Sequence, residues 1–223
     1  MKTHHPERFL GFTLIELLVV ITIMGIVAAL IVSAGQKAMR AKKDAAVTGM
    51  REKLSTMIDH YQSKLNFYPP DNGNLAMTNR ASYDAIAAMN PLIYELTGGT
   101  NYTNTAAVFS APGMGNILPM TAGSLFVKVF NRAGIANSDT TEPQDFFIPG
   151  PQPQEYTNYP GCTNIFGLLV PVPAVPNGGP TNFWRYDSSS QYRHNQSSYD
   201  LWAEYYVGTA KNGLPLIITN GNW

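Results

Sequence analysis

The sequence has a single cysteine, Cys162, so it can build no intrachain disulfide and no cysteine-based zinc site. Charge is scarce: only 13% of the 223 residues are charged, against about 25% in an ordinary soluble domain. Neither sign is in excess, with fifteen basic and fifteen acidic residues. That balance excludes a basic nucleic-acid-binding domain and a highly charged disordered chain. Catalytic signatures are missing too. There is no HExxH, GxSxG, Walker loop or GxGxxG, since Gly113-Met114-Gly115 lacks the third glycine. The histidines His4, His5, His60 and His194 do not cluster. His194 near Asp187, Ser188, Ser189 and Ser190 suggests a triad only on paper, because such residues share polar loops constantly, and no enzyme is expected.

What the sequence does have is one long apolar run. Residues 17–32 carry no charge and a single polar side chain, Thr22; widened to 12–34, the run contains a single charge, Glu16. A bilayer core takes about 20 apolar residues as a helix, so this segment can span. A cleavable secretory signal has an apolar core of roughly 7–15 residues followed by an A-x-A-like site. The run here is longer and no such site follows. A carboxylate in a spanning helix costs at least about 2.5 kcal/mol and calls for a partner or a function, unless it snorkels from the end of the run.

The neighbours of Glu16 favour a function. Gly11-Phe12-Thr13-Leu14-Ile15-Glu16, followed by the apolar run, resembles the prepilin signal of type IV pilin-like proteins. The resemblance implies a leader at residues 1–11, cleavage after Gly11 by prepilin peptidase on the cytoplasmic side, and methylation of the new N-terminal Phe12. Cleavage creates an α-amine, and burying that cation among packed helices needs an anion. Glu16, from the same chain or the subunit below, is the expected assembly residue.

Beyond the run, Val47, Met50, Leu54, Met57, Ile58, Tyr61 and Leu65 recur at spacings of three and four, one face of an amphipathic helix. With no proline from 12 to 65, one helix is expected, its transmembrane half at 12–35 and its amphipathic half at 36–66. Any kink would come from Ser33 and Gly35. Lys37, Arg40, Lys42 and Lys43 follow the run and outnumber Lys2 and Arg8 before it. The positive-inside rule alone would place the C-terminal side in the cytoplasm; the processing signal requires the opposite and takes precedence. These four cations read first as a solvated helix face and second as a contact for anionic lipid.

Residues 67–223 read as a head. Tyr68-Pro69-Pro70-Asp71-Asn72-Gly73 ends the helix in a turn. Short helices are expected at 82–89 and 91–97, with Ser82 and Asn90 as caps and Gly98-Gly99 as a stop. Nine of the sixteen prolines lie between Pro143 and Pro180, in a Pro/Asn-rich stretch at about 98–180. This stretch looks inserted, and it carries strand-like runs at 125–130, 146–148 and 166–172. The Tyr-Pro ending of the helix, Tyr199-Asp200-Leu201-Trp202 and Gly221-Asn222-Trp223 resemble the major pseudopilin of type II secretion systems.

The resemblance implies an α+β, pilin-like fold: a long N-terminal α-helix packed on a small antiparallel β-sheet. It further implies a structural subunit of a pseudopilus, single-pass in the bacterial inner membrane with its head in the periplasm. Its partners would be copies of itself, prepilin peptidase, other pseudopilins and inner-membrane assembly components, with no nucleic acid. A type IV pilus or competence filament, or a single-span anchored binding domain or enzyme, stays open. No cofactor is required. In the family a C-terminal loop can hold calcium, but here residues 208–218 contain no carboxylate. Asp200, joined by Glu204 or Asp187, is the candidate ligand. The alternative is a loop held by backbone bonds and the packing of Trp202 and Trp223.

Overall fold

A computed structural model describes residues 12–77, 79–98, 129–132, 137–138, 142–162, 165–176 and 179–223. The chain divides into two units, residues 1–42 and 43–223. Helix α1 covers Leu14–Leu65, close to the extent expected from the proline-free stretch. In the first unit it is apolar enough to cross a membrane by length and composition, with a mean hydropathy of 2.9 over its most apolar window. The helical assignment is unbroken through Ser33 and Gly35.

In the second unit the amphipathic stripe is the spine of the core. Val47, Leu54, Ile58 and Tyr61 are fully buried, with Met50 and Met57 nearly so and Leu65 packed at the margin. The helix stops because Asn66 takes a left-handed backbone (φ 65°) while its N–H bonds Gln62 O at 2.8 Å. That is a short polar residue doing what glycine commonly does at a helix end. The turn at 68–73 follows.

A 3-10 turn at Gly73–Met77 leads to α2 (Tyr83–Ala87) and α3 (Leu92–Thr97), both shorter than the sequence suggests. Ser82 makes no side-chain cap on α2, whereas Asn90 Oδ1 accepts Leu92 N at 3.3 Å. Gly98 closes α3 at φ 65°, and a Cβ there would lie 2.8 Å from Gln144 O. Only glycine fits, for conformation and for space.

Among the described residues five strands follow: β1 (Tyr156–Asn158), β2 (Phe166–Leu168), β3 (Arg185–Asp187), β4 (Asp200–Thr209) and β5 (Pro215–Gly221). β1 and β2 pair antiparallel, and β3-β4-β5 form an antiparallel sheet with β4 in the middle. A bridge between Leu169 and Phe183 and a bond from Trp184 N to Leu168 O tie the two pieces together. The arrangement is α+β, as the resemblance implies. The second-unit part of α1 is fastened to the sheet by polar bonds: Tyr205 Oη to Asp44 at 2.9 Å, Lys43 Nζ to Tyr206 O at 3.0 Å, and Arg51 to Asn220 Oδ1 at 2.7 Å.

One expected strand differs, and another lies largely outside the described residues. Residues 146–148 form none: Phe146 N and Phe147 N both donate to Leu96 O, so the segment closes the end of α3 and buries its two rings. Of 125–130, only Val129 and Phe130 are described, and both are helical. The described parts of the Pro/Asn-rich stretch are no mere cover, since Phe146, Phe147, Tyr159, Ile165, Leu168, Val170 and Val172 belong to the main core.

Candidate functional site

Thr13 immediately precedes α1, and Glu16 lies in its first turn. Thr13 N and Thr13 Oγ1 donate to Glu16 Oε2 at 2.9 and 2.8 Å, and Glu16 N donates to Thr13 Oγ1 at 3.3 Å. This reciprocal pattern is a capping box: the N-cap hydroxyl and the third-position carboxylate satisfy donors that a helix start leaves open. The Thr-x-x-Glu spacing is visible in the sequence, yet the reading of Glu16 as an amine partner passes over it. Oε1 of Glu16 accepts no hydrogen bond among the described residues. Phe12 is 81% exposed. Gly11, the expected cleavage position, lies outside the described residues.

From Phe12 to Val32 the large apolar side chains are exposed on every face of the helix. A helix that is apolar all round needs lipid or other helices about it. Between residues 17 and 32 the one polar side chain needs no external partner, because Thr22 Oγ1 donates to Leu18 O at 2.7 Å within the helix. Of the cations that follow, Lys37, Arg40 and Lys42 are exposed. Lys43 belongs to the head, bonded to Tyr206 O and standing 4.7 Å from the Tyr206 ring centroid.

In the head, Asp200 is fully buried and lies opposite Asp187 in the β3–β4 register. Its Oδ2 accepts His194 N at 2.6 Å and approaches His194 Nδ1 at 3.1 Å, while Oδ1 accepts Asn195 N at 2.9 Å. Asp187 accepts Ser189 N, Ser190 N, Ser190 Oγ and Tyr83 Oη. Burial pushes its carboxyl up, but the bonds from Ser190 and Tyr83 outweigh that and hold it below the usual carboxylate range. Glu204 is turned to Arg185 at 3.3 Å.

The candidate calcium ligands are therefore engaged with the protein's own donors, and this arrangement does not fit an ion that wants six to eight oxygens. Among the described residues no group of three or more His, Cys, Asp or Glu side chains is placed to hold a metal. The loop between β4 and β5 closes on itself, with Ala210 N to Leu214 O at 2.8 Å and Gly213 N to Ala210 O at 2.9 Å. The Trp202 and Trp223 rings pack at 5.7 Å. The paper triad does not assemble either, since His194 pairs with Asp200 whereas Ser190 pairs with Asp187.

Comparison with known proteins locates the functional information at the N-terminus. A family model described as the prokaryotic N-terminal methylation motif matches residues 8–32. No curated protein and no solved structure matches the chain. Residues 8–32 thus carry the prepilin-type signal of type IV pilin-like proteins.

Proposed function

We propose that this chain is a structural subunit of a type II secretion pseudopilus, made as a prepilin in the bacterial inner membrane with its head in the periplasm. Prepilin peptidase removes residues 1–11, and the new amine of Phe12 is methylated. The subunit then assembles with copies of itself and with other pseudopilins through the exposed apolar helix, driven by inner-membrane assembly components. The chain itself does no chemistry. The observation that carries this reading is the match of residues 8–32 to the methylation motif, set on a helix whose apolar side chains face outward on every side. The choice of pseudopilus over pilus rests on the resemblance of the helix end and of residues 199–223 to the major pseudopilin.

The test is the mass of the N-terminal peptide of the chain recovered from membranes. N-methyl-Phe12 at the terminus is expected. An intact Met1, or a cut near Ala34, overturns the proposal and favours a single-span anchored protein instead.

A further inference from the structure

The loop between β3 and β4, residues 188–199, has no regular secondary structure over twelve positions, yet nine of its backbone N–H and C=O groups are met by charged side chains. Five of its N–H groups go to three fully buried carboxylates. Ser188 N and Ser189 N donate to Asp71 Oδ2 at 3.0 and 2.9 Å. Ser189 N and Ser190 N donate to Asp187 Oδ1 at 3.0 and 2.8 Å. His194 N and Asn195 N donate to Asp200.

Four of its carbonyls converge on one cation, the half-buried Arg193. Nη1 donates to Ser188 O and to Ser198 O, each at 2.6 Å; Nε donates to Ser190 O at 3.1 Å and Nη2 to Gln196 O at 3.4 Å. The four oxygens come from both arms of the loop, so a single guanidinium clamps the entry to the exit. Irregular backbone of this kind is commonly gathered around a divalent cation, which supplies positive charge to several carbonyls at once. A guanidinium offers five donors in a fixed fork and keeps its charge at any physiological pH.

We propose that Arg193 is the resident cation of this loop, filling by side chain the role a divalent ion would fill, so that the head folds and holds its shape without calcium. The three carboxylates complete the assignment, because their oxygens are already engaged, Asp71 Oδ1 by Arg132 Nη2 at 2.8 Å, Asp187 Oδ2 by the Tyr83 and Ser190 hydroxyls and the rest by loop N–H groups. Arg193 is a positioning residue. It fixes the flanking Tyr192, whose ring meets Tyr83 at 5.7 Å, and His194, whose ring stacks on Trp223 at 4.1 Å. The inference concerns the head alone and stands or falls apart from filament assembly.

The test uses the full chain in detergent micelles, with thermal unfolding followed by tryptophan fluorescence and near-UV circular dichroism in EDTA and in millimolar calcium chloride. The wild-type midpoint is expected to be the same in both; a midpoint that rises with calcium overturns the proposal. Arg193→Ala is expected to melt lower by roughly 5–10 °C, the shift that losing a set of charged hydrogen bonds produces in a domain of this size. An unchanged midpoint overturns it. Arg193→Lys restores the charge without the fork and is expected to melt between the two. A lysine variant as stable as wild type would show that charge suffices, and would overturn the assignment to the guanidinium. If Arg193→Ala fails to fold, the chelator comparison on the wild type and the lysine variant still decide.

Discussion

Cys162 is the one side chain in this protein with thiol chemistry, and its surroundings suppress it. It is buried next to Tyr159 in the main core, and burial pushes the thiol up to about 11. A raised thiol pKa withholds the reactive thiolate below that value, leaving a fraction on the order of 10⁻³ at pH 8. Alkylation by iodoacetamide at pH 8, read by mass spectrometry, should therefore be slow on the folded chain and prompt once it is denatured. Rapid labelling of the native protein would contradict the packing described. The sequence shows that Cys162 stands alone but not that it is buried, because a residue in a Pro- and Gly-rich stretch carries no periodicity to place it. The same holds for Arg193 and Asp71. Asp71 meets Ser188 and Ser189 across 117 and 118 positions, and the partners of Arg193, though within five positions, are loop carbonyls that no sequence pattern announces.

At the scale of elements, α1 was the legible one. Its apolar run, its stripe of three- and four-residue spacings and its end near Leu65 are repeated local signals, and all reappear in the structure. Its terminal details were less legible, because a Thr-x-x-Glu box overlaps a processing signal and Asn66 replaces the usual glycine. Glu16 thus has two duties that mutation can separate. Thr13→Val removes the hydroxyl that donates to Oε2 and accepts Glu16 N but keeps the backbone donor and the charge, at a cost of about 1 kcal/mol to the helix start. Glu16→Ala removes the charge as well. We expect both variants to be cleaved. Filament yield, measured by shearing and immunoblotting, should fall severely for Glu16→Ala and only slightly for Thr13→Val. Equal yields from the two would deny the carboxylate any role beyond capping.

For the whole molecule, the neutral balance conceals a division. Residues 1–66 carry nine basic and five acidic groups, and 67–223 carry six and ten. The contact pattern divides elsewhere, at Lys42 and Lys43, and the main core draws only on residues from Val47 onward. A fragment comprising residues 43–223 is accordingly expected to fold without detergent, with circular dichroism showing helix and strand and gel filtration showing a monomer. Aggregation or loss of structure would mean that the first unit contributes to folding as well as to anchoring. The α+β class was readable because its helix is long and because residues 199–202 and 221–223 resemble the sheet region of the major pseudopilin. The contribution of the 98–180 stretch was not, since short runs such as 146–148 bury rings without forming a ladder.

The bonds that fasten α1 to the sheet also bear on the order in which the chain is made. Asp44, Arg51 and Asp59 find their partners in Tyr205, Asn220 and Tyr199, which lie 161, 169 and 140 positions later. Synthesis delivers the helix first and its cover last, at roughly 5–20 residues per second. For several seconds the stripe from Val47 to Leu65 is without the strands that will hide it, while the apolar run ahead of it is already competent for lipid. On the function proposed above, the chain would be anchored before it is folded, with the membrane holding it apart from its neighbours while the helix is still bare.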